Sequence, residues 1–375
     1  MALALTGSRI FDGERFLDDH AIVVEGAKIV AVVRSQDVKP GVQQRNLAGG
    51  YLVPGFIDVQ VNGGGGALLN ANPSVENVNT IANAHRQFGT TGLLPTVITD
   101  SHEVLSAALG AVRDARASNP AILGIHVEGP FLDVARKGAH DPHFIRTIAE
   151  TDVTELTQAH CGRVMLTVAP NKVSPHFIRE LTEAGILVSL GHAEASFAEA
   201  QAALGAGARA FTHLFTAMSQ LNGRDPGMVG AALVDAECYI GIIADGLHVH
   251  DAALRLALAA KSHDRFMLIT DAMPSAAGGP AQFELQGRPV TLRNGRLELE
   301  GGTLAGSNLT MDEALRHAVQ KLRVEFSDAL RMASLNPARF LKLDHELGRI
   351  APGYRASLVH LDQKLNVLET WVDGA

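Results

Sequence analysis

The sequence contains little cysteine, and this excludes a fold held together by disulfides and a zinc site built on cysteine ligands. Cys161 and Cys238 are the two cysteines of the 375-residue chain. They are too few and too isolated to form a disulfide framework or a zinc site built on thiolates. We expect both to be small buried residues in or near strands, since unpaired cysteine is commonly buried.

The chain also has no surplus of positive charge and no long apolar segment. Lysine and arginine number 32 against 40 acidic residues, a formal net charge of -8, which disfavours nucleic-acid and anionic-membrane surfaces. The N-terminal MALALTGSRIFDGERF lacks a basic start and an apolar signal region, and no run approaches about 18 apolar residues. We expect a cytoplasmic protein without nucleic-acid or membrane partners.

The chain is rich in short apolar runs separated by helix-like segments. Hydrophobic residues make up 46% of it, enough for a sizeable core. Eight runs indicate strands: LVPGFIDVQ, TGLLPTVIT, AILGIHVE, RVMLTVAP, ILVSLGH, ARAFTH, CYIGIIAD and FMLITD. Because parallel strands need helical crossovers, these eight β-α units predict an α/β fold, a (β/α)8 TIM-like barrel. A doubly wound sheet is the alternative.

Three further segments show β-type patterns outside these eight runs. AIVVEGAKIVAVV near the N-terminus carries a hairpin signal, and SLVHLDQKLNVLETWVDGA near the C-terminus alternates apolar and polar residues. We predict that residues 1–53 and 344–375 meet in one small β domain and that 54–343 form the barrel. ELQGRPVTLRNGRLELEGG predicts a β-hairpin insertion before the last helical region.

Polar side chains stand at the ends of several predicted strands, where a barrel of this type gathers its active site. Buried ionisable groups are costly unless they are paired or bound to a metal, so their convergence predicts a functional centre. In chain order they are Gln60, Asn62, Glu128, His192, His213, Asp245, His248 and Asp271.

Two imidazoles and a carboxylate in this set predict a metal centre. Glu128, His192 and His213 suit zinc first, with Fe²⁺, Mn²⁺ and Co²⁺ as alternatives, and leave a position open for water. Asp271 is placed to take the proton of that water and deliver it to a leaving amine. His248 is expected to hydrogen-bond the substrate or its developing oxyanion.

Three other residues receive weaker interpretations. His126 shares a strand face with Glu128, and we expect it to support the ligands or to lie in the core. His250 forms a literal His-x-His pair with His248, but a histidine at a helix start commonly caps the helix or faces solvent. Lys172 lies in a loop after the fourth strand and is expected to be solvated.

Eleven segments carry a resemblance along essentially the whole chain. They are PGFIDVQVNG, HVEGPFL, RKGAHDP, LGHAEAS, THLFTAM, GRDPGMVGA, IIADGLHV, LITDA, LAGSNLTMDEALR, LNPARFLKL and LGRIAPGYRASLV. On these motifs the chain resembles the N-acetylglucosamine-6-phosphate deacetylase family of the amidohydrolase superfamily. The resemblance implies a barrel with a small β-sandwich domain. It also implies hydrolysis of N-acetyl-D-glucosamine 6-phosphate to glucosamine 6-phosphate and acetate, in amino-sugar catabolism.

The resemblance also implies how many metals the site holds. Members with a His-x-His pair after the first strand hold two metals, whereas members with Gln-x-Asn work with one. Gln60 and Asn62 are similar to the second group, which implies one divalent metal per subunit. Carried over by position, Glu128, His192 and His213 are the implied ligands, and Asp271 is the implied acid and base.

Five residues are implied to contact the substrate. His140 and His248 match family histidines that contact the sugar and the reacting group. Thr216 and Ala217 follow His213 in HLFTAM, and Thr216 replaces an asparagine that many members use near the phosphate, so phosphate affinity or sugar preference can differ. Arg224 matches an arginine that binds the phosphate in the neighbouring site of a homodimer.

Two alternatives stay open at this point. The same chemistry on N-acetylgalactosamine 6-phosphate differs at a single hydroxyl configuration, and no residue named above decides between the sugars. A non-catalytic sugar-phosphate-binding barrel is the alternative from another class. It is disfavoured because a scaffold has no use for a buried carboxylate such as Asp271 beside a metal.

Overall fold

The computed structural model describes residues 2–375, in which strands outnumber helices. Strands β1 to β7 are Leu3–Thr6, Arg9–Phe11, Phe16–Leu17, His20–Glu25, Lys28–Arg34, Gln43–Asn46 and Tyr51–Pro54. Strands β8 to β17 are Phe56–Val61, Gly63–Gly64, Ala67–Leu68, Thr90–Ile98, Gly124–Glu128, Arg163–Val168, Leu187–Leu190, Ala210–Phe211, Tyr239–Ile243 and Phe266–Ile269. Strands β18 to β23 are Gln282–Leu285, Arg288–Arg293, Arg296–Leu299, Leu304–Ser307, Leu358–Leu361 and Val367–Trp371.

The helices mostly follow the strands of the central sheet, one crossover at a time. Helices α1 to α10 are Val75–Arg86, His102–Arg116, Glu150–Gln158, Pro175–Glu183, Phe197–Gly205, Gly227–Val234, Asp251–Ala260, Met311–Gln320, Phe326–Ala333 and Leu335–Phe340. Several begin at a serine whose side chain accepts a backbone hydrogen bond, as Ser74 and Ser101 do for α1 and α2. Such caps satisfy a free backbone amide of the first turn, so the helix begins at a defined residue.

Eight parallel strands form the barrel, and each overlaps one of the eight predicted apolar runs. Strands β8 and β11 to β17 pair in sequence order. The last strand returns to the first, because the Asp271 amide donates to the Gln60 carbonyl at 2.9 Å and the Thr270 hydroxyl donates to Asp58 at 2.6 Å. The sheet therefore closes, which confirms the predicted barrel and rules out a doubly wound sheet.

The barrel strands are buried on both faces, which explains why they appear as continuous apolar runs. Every residue of β8 and β11 is buried. Polar side chains inside the barrel satisfy one another: His126 is fully buried and its Nε2 lies 2.7 Å from the hydroxyl of Thr167. His126 is thus a core residue beneath the site, in agreement with its interpretation from the sequence.

Two further sheets pack the chain ends together. One has the strand order β5-β4-β1-β6, and the other has the order β23-β22-β7-β2-β3. The C-terminal β22 pairs antiparallel with the N-terminal β7, with Leu358 opposite Pro54. Residues of both ends, among them Ile22, Leu52 and Trp371, share one apolar cluster. The two ends therefore form a joint β unit, as predicted.

The predicted hairpin insertion is a four-stranded antiparallel sheet, β18 to β21. Its last strand runs back to the end of the barrel, where the Ser307 amide donates to the Asp271 carbonyl at 2.8 Å. The insertion therefore lies over the carboxyl ends of the barrel strands.

Cys161 and Cys238 are buried and unpaired, as expected. Over residues 2–375, none of the helices combines the length and the apolar character that crossing a membrane requires.

Candidate active site

Glu128, His192 and His213 come together at the carboxyl end of the barrel. Glu128 is the last residue of β12, and each histidine follows the end of its strand, β14 or β15, by two residues. The Oε1 atom of Glu128 lies 3.2 Å from His192 Nε2 and 3.1 Å from His213 Nε2, and the two Nε2 atoms are 3.1 Å apart. Three donor atoms thus form a nearly equilateral triangle in a buried site.

The other ring nitrogens set the chemistry of this triangle. His192 Nδ1 donates to the Arg136 carbonyl at 3.0 Å, and His213 Nδ1 donates to the Thr216 carbonyl at 3.2 Å. A carbonyl only accepts, so each neutral ring carries its proton on Nδ1 and turns the Nε2 lone pair toward Glu128. Converging lone pairs repel unless a cation lies among them.

The size of the triangle fits a first-row divalent ion. Tetrahedral zinc with bonds of about 2.0–2.1 Å places its ligand atoms about 3.3 Å apart, close to the separations found here. Burial by itself would raise the pKa of Glu128, yet the two imidazoles hold this pKa well below its usual range. Burial lowers the pKa of His213, but Glu128 outweighs it and raises that pKa. A proton and a metal therefore compete for His213.

Asp271 lies beside the triangle and is held by two side-chain amides. Its Oδ1 accepts from Asn62 Nδ2 at 2.6 Å and from Gln60 Nε2 at 3.2 Å. Gln60 Nε2 is also 3.1 Å from Oε1 of Glu128, so the amide connects both carboxylates. Strand alternation placed Gln60 and Asn62 on one face, as the sequence predicted. Burial, followed by the charge of Glu128, raises the pKa of Asp271 to about 6.

Several residues of the site have a strained backbone conformation. The φ angles of His192, His213, Ala217 and Asp271 are 48°, 32°, 51° and 52°, in the left-handed region that non-glycine residues rarely adopt. Such conformations cost free energy and persist where surrounding contacts impose them. The sharp turns at the strand ends direct these residues to the site.

A cavity of about 70 Å³ lies next to the triangle. The residues expected at the substrate that line it are His140, Thr216, Ala217 and His248. The insertion, whose place over the site could not be inferred from the sequence, adds Leu285, Leu304, Ala305 and Gly306. Arg224 lies on an exposed loop and does not line the cavity of its own chain.

His140 is buried at the edge of this cavity. Its Nδ1 lies 2.8 Å from the Thr99 hydroxyl, and its ring centre lies 4.4 Å from that of His192. Burial and the neighbouring His192 hold the pKa of His140 well below its usual range. His140 therefore stays neutral near pH 7 and can form an alternative trio with Glu128 and His192, whose ligand atoms lie within 4.8 Å of one another.

Two weaker predictions can also be compared with the structure. His250 precedes α7 and its Nδ1 accepts from the Ala252 amide at 3.1 Å, so it caps that helix. Lys172 has an exposed side chain, with Nζ 3.6 Å from Asp133. Neither residue contributes to the Glu128 triangle.

A larger cleft lies at the opposite end of the barrel. It has a volume of about 590 Å³ and includes Arg116, Arg163 and Arg355. Arg163 begins β13, and active sites of such barrels form at the carboxyl ends of the strands. We therefore place the chemistry in the smaller cavity, where the buried histidines and carboxylates converge.

Asp58 is a fully buried carboxyl under the site, and it predicts a pH effect on stability. Burial raises its pKa from 3.8 to about 7, despite hydrogen bonds from Thr270 and Gln60. The native state keeps a proton that the unfolded chain releases, so the unfolding free energy falls by up to about 4 kcal/mol between roughly pH 4 and 7. We expect Asp58→Asn to remove this component, so that the variant gains stability over wild type on going from pH 5 to pH 8.

Urea unfolding of both proteins at the two pH values measures this difference. Asp37→Asn, at an exposed carboxylate, is the control and should show no such gain. An equal difference between Asp58→Asn and wild type at both pH values would contradict the prediction.

A closed (β/α)8 barrel with buried glutamate and histidine side chains suited to a metal at the carboxyl ends of its strands is typical of metal-dependent barrel hydrolases. A model described as "Amidohydrolase family" matches residues 51–375, and one described as "NagA composite domain" matches residues 3–52. The chain belongs to the amidohydrolase family, and it is a hydrolase that acts on amide bonds.

Relatives support this assignment over the full chain. An N-acetylgalactosamine-6-phosphate deacetylase of Shewanella sp. is 43% identical, with 88% of this chain and 83% of the relative covered. An N-acetylglucosamine-6-phosphate deacetylase of Haemophilus influenzae is 34% identical, with 100% and 99% covered. The crystal structure of N-acetylglucosamine-6-phosphate deacetylase from Pasteurella multocida superposes with a TM-score of 0.97 at 36% identity, covering 100% of this chain and 99% of that one.

Proposed function

We propose that the protein hydrolyses N-acetyl-D-glucosamine 6-phosphate to glucosamine 6-phosphate and acetate, in amino-sugar catabolism in the cytoplasm. The observation that carries the proposal is the Glu128, His192 and His213 triangle with Asp271 beside it, in a barrel whose relatives are named for deacetylation of amino-sugar 6-phosphates. The triangle supplies a metal site, and Asp271 supplies a group that can carry a proton.

Glu128, His192 and His213 hold one divalent metal per subunit in this proposal, with zinc expected first and Fe²⁺, Mn²⁺ or Co²⁺ as alternatives. We prefer His213 to His140 as the third ligand because its Nε2 lies 3.1 Å from both partner atoms. The metal, when bound, acidifies a water molecule and polarises the acetyl carbonyl.

Asp271 and His248 perform the remaining chemistry. Asp271 Oδ1, oriented by Asn62 and Gln60, accepts the proton of the attacking water and passes it to the nitrogen of the leaving amine. Its pKa of about 6 keeps it mainly ionised at neutral pH, yet able to donate a proton afterwards. His248 hydrogen-bonds the acetyl oxygen as negative charge develops.

His140, Thr216, Ala217 and Arg224 bind the sugar phosphate. The Thr216 hydroxyl is buried and has no hydrogen-bond partner among residues 2–375, so it is free to donate to a phosphate oxygen. The cavity of about 70 Å³ is smaller than the roughly 300 Å³ of small-molecule sites. A cavity of this size accommodates only part of the sugar phosphate.

The protein acts as a homodimer in this proposal, as the family resemblance implies. Arg224 lies outside the cavity of its own chain and would reach the phosphate in the neighbouring subunit. We also retain residues 1–53 and 344–375 as a small β-sandwich domain and 54–343 as the catalytic barrel. The pairing of β7 with β22 supports this division.

Arg224→Ala is expected to raise KM for the phosphorylated sugar by roughly 10- to 100-fold with little change in kcat, since a charged hydrogen bond to phosphate is lost. Steady-state kinetics measure the effect, and sedimentation shows whether the variant remains dimeric. Arg179→Ala, at an exposed arginine of α4, is the matched control. A dimeric Arg224→Ala protein with unchanged KM would refute the role of Arg224.

Deacetylation of N-acetylgalactosamine 6-phosphate is the second candidate. The 43% identical Shewanella relative carries that name, and Thr216 occupies a position where the resemblance leads us to expect asparagine. The two substrates differ at a single hydroxyl, so discrimination depends on a few contacts in the cavity.

The experiment that tests the function measures acetate release from both 6-phosphates by the purified protein, with bound metal counted by elemental analysis. We expect release from both, with the larger kcat/KM for the glucosamine derivative. A larger kcat/KM for the galactosamine derivative would select the second candidate. Metal-loaded protein that binds either sugar phosphate without releasing acetate would instead indicate a non-catalytic binding barrel.

A further inference from the structure

A carboxylate behind His248 has no part in the proposed reaction so far. Asp245 follows the end of β16 by two residues, and its Oδ2 lies 2.7 Å from His248 Nδ1. The side chains of His248 and Asp245 are only 5% and 9% exposed. A carboxylate held this far from solvent is costly unless it has close, well-oriented hydrogen-bond partners.

The backbone fixes the orientation of this carboxylate. Its Oδ1 accepts from the amides of Leu247 and His248 at 2.8 and 2.9 Å. Asp245 thus uses one oxygen to hold the turn after β16 and the other to hold the imidazole. Burial raises the pKa of Asp245, but the bond to His248 and the two amides outweigh this effect and leave the pKa below its usual value.

An ionised carboxylate only accepts hydrogen bonds, so Nδ1 of His248 must carry a proton. The opposite nitrogen, Nε2, makes no hydrogen bond within the described chain, residues 2–375, and His248 lines the catalytic cavity. Nε2 is therefore the atom that meets the substrate. When the ring is doubly protonated, Nε2 donates to the acetyl oxygen while Asp245 stabilises the positive charge.

We propose that Asp245 is a positioning residue: it fixes the ring plane and the protonation pattern of His248 so that Nε2 meets the acetyl oxygen. This inference rests on the proposed deacetylase function, because it assigns His248 to the reacting group. Asp245 itself does not touch the substrate.

Asparagine at position 245 separates this role from support of the turn. The amide oxygen still accepts from the Leu247 and His248 amides, so the turn is retained. The amide NH₂, however, faces His248 Nδ1 and favours the neutral ring that carries its proton on Nε2 instead. It also provides no negative charge for an imidazolium. The substitution therefore changes the chemistry of the ring while it keeps the local backbone.

The kinetic test compares Asp245→Asn with Asp251→Asn. Asp251 forms a similar pair with His317, at 2.7 Å, outside the catalytic cavity. We expect Asp245→Asn to lower kcat roughly 100-fold with KM changed less than about threefold, because the neutral ring of the variant donates to the developing oxyanion without the positive charge that Asp245 stabilises in the wild type. Asp251→Asn should leave both parameters unchanged.

A double-variant cycle shows whether Asp245 acts through His248. In a His248→Gln background, adding Asp245→Asn should lower kcat by less than about threefold, because the residue that Asp245 positions is already gone. Effects that multiply instead would show that Asp245 acts independently and would overturn the proposal. A kcat of Asp245→Asn within threefold of wild type would also overturn it.

A spectroscopic readout tests the positioning without any substrate. Nitrogen-15 NMR of histidine-labelled protein, with the His248 signals identified by their loss in His248→Gln, should show a protonated Nδ1 in wild type and a protonated Nε2 in Asp245→Asn. The same protonation pattern in wild type and Asp245→Asn would overturn the proposal for Asp245, whether or not the protein releases acetate. Absence of acetate release from both sugars would refute the deacetylase function, and it is a separate result. If Asp245→Asn does not fold, Asp245→Glu keeps the charge, and it should keep Nδ1 protonated.

Discussion

Asp271→Asn is expected to lower kcat for acetate release roughly 10³-fold, within the range that loss of a general base and acid produces. Asparagine has the size of aspartate, but it cannot accept a proton from water at neutral pH. Asn62 and Gln60 donate to Oδ1 of Asp271, and the amide oxygen of the variant can accept the same bonds. The geometry of the cavity is therefore retained while the proton carrier is lost.

Metal analysis and steady-state kinetics on the same preparation distinguish this effect from loss of the metal. The variant should keep about one metal per chain, because Asp271 lies outside the ligand triangle. Asp37→Asn, at an exposed carboxylate, should retain full activity. An Asp271→Asn protein with more than a tenth of the wild-type kcat would exclude Asp271 as the base.

The pH profile of the wild type follows from the same residue. Burial raises the pKa of Asp271 to about 6, and its ionised form, which accepts the proton, is lost as pH falls through that value. We expect kcat/KM to fall about tenfold per pH unit on the acid side. A bound cation favours the carboxylate and moves this limb to lower pH. An acid limb with its midpoint clearly above pH 6 would argue against Asp271 as the base.

His213→Ala is expected to reduce bound metal from about one per chain to near zero, and to abolish acetate release with it. The variant removes one corner of a triangle whose sides are 3.1 to 3.2 Å, and two protein ligands hold zinc far more weakly than three. Elemental analysis after dialysis measures the metal. Removal of metal from the wild type with a chelator should also abolish activity, and added Zn²⁺ should restore it.

His250→Ala is the matched control for this experiment, since it removes another histidine at the same end of the barrel. Its side chain caps α7 through the Ala252 amide, so we expect unchanged metal content and a loss of about 1 kcal/mol in unfolding free energy. Loss of metal in His140→Ala but not in His213→Ala would instead select the trio of Glu128, His140 and His192. Two metals per wild-type chain would contradict the single-metal proposal.

The residues alone indicated most of the architecture because two local patterns are strong in this chain. Eight apolar strands that alternate with helical segments form a parallel sheet whose connections are helices, and these helices cover the sheet. This alternation predicted the barrel. The period of two along a strand put Gln60 and Asn62 on one face, and both contact Asp271. Helix α6 offers no such pattern, because its sequence GMVGAALV is largely buried and has no polar face.

The site depended more on contacts between distant segments. That polar residues end the strands was visible in the sequence, but the choice between His213 and His140 rests on distances to Glu128. The part that Asp245 plays depends on which oxygen faces His248. The insertion was recognised as β structure, yet its position over the cavity follows from the return of β21 to Asp271.

The amino-acid sequence alone determined the barrel, the shared β unit of the chain ends and the set of candidate side chains. The reason is that composition and periodicity act through each residue's own conformational preferences and its need to bury apolar surface. The folded chain decided which nitrogen and oxygen atoms meet. Such distances arise when strands far apart in sequence close into a barrel. A shift of about 1 Å between two strands decides whether their side chains form a metal site or only a set of buried hydrogen bonds.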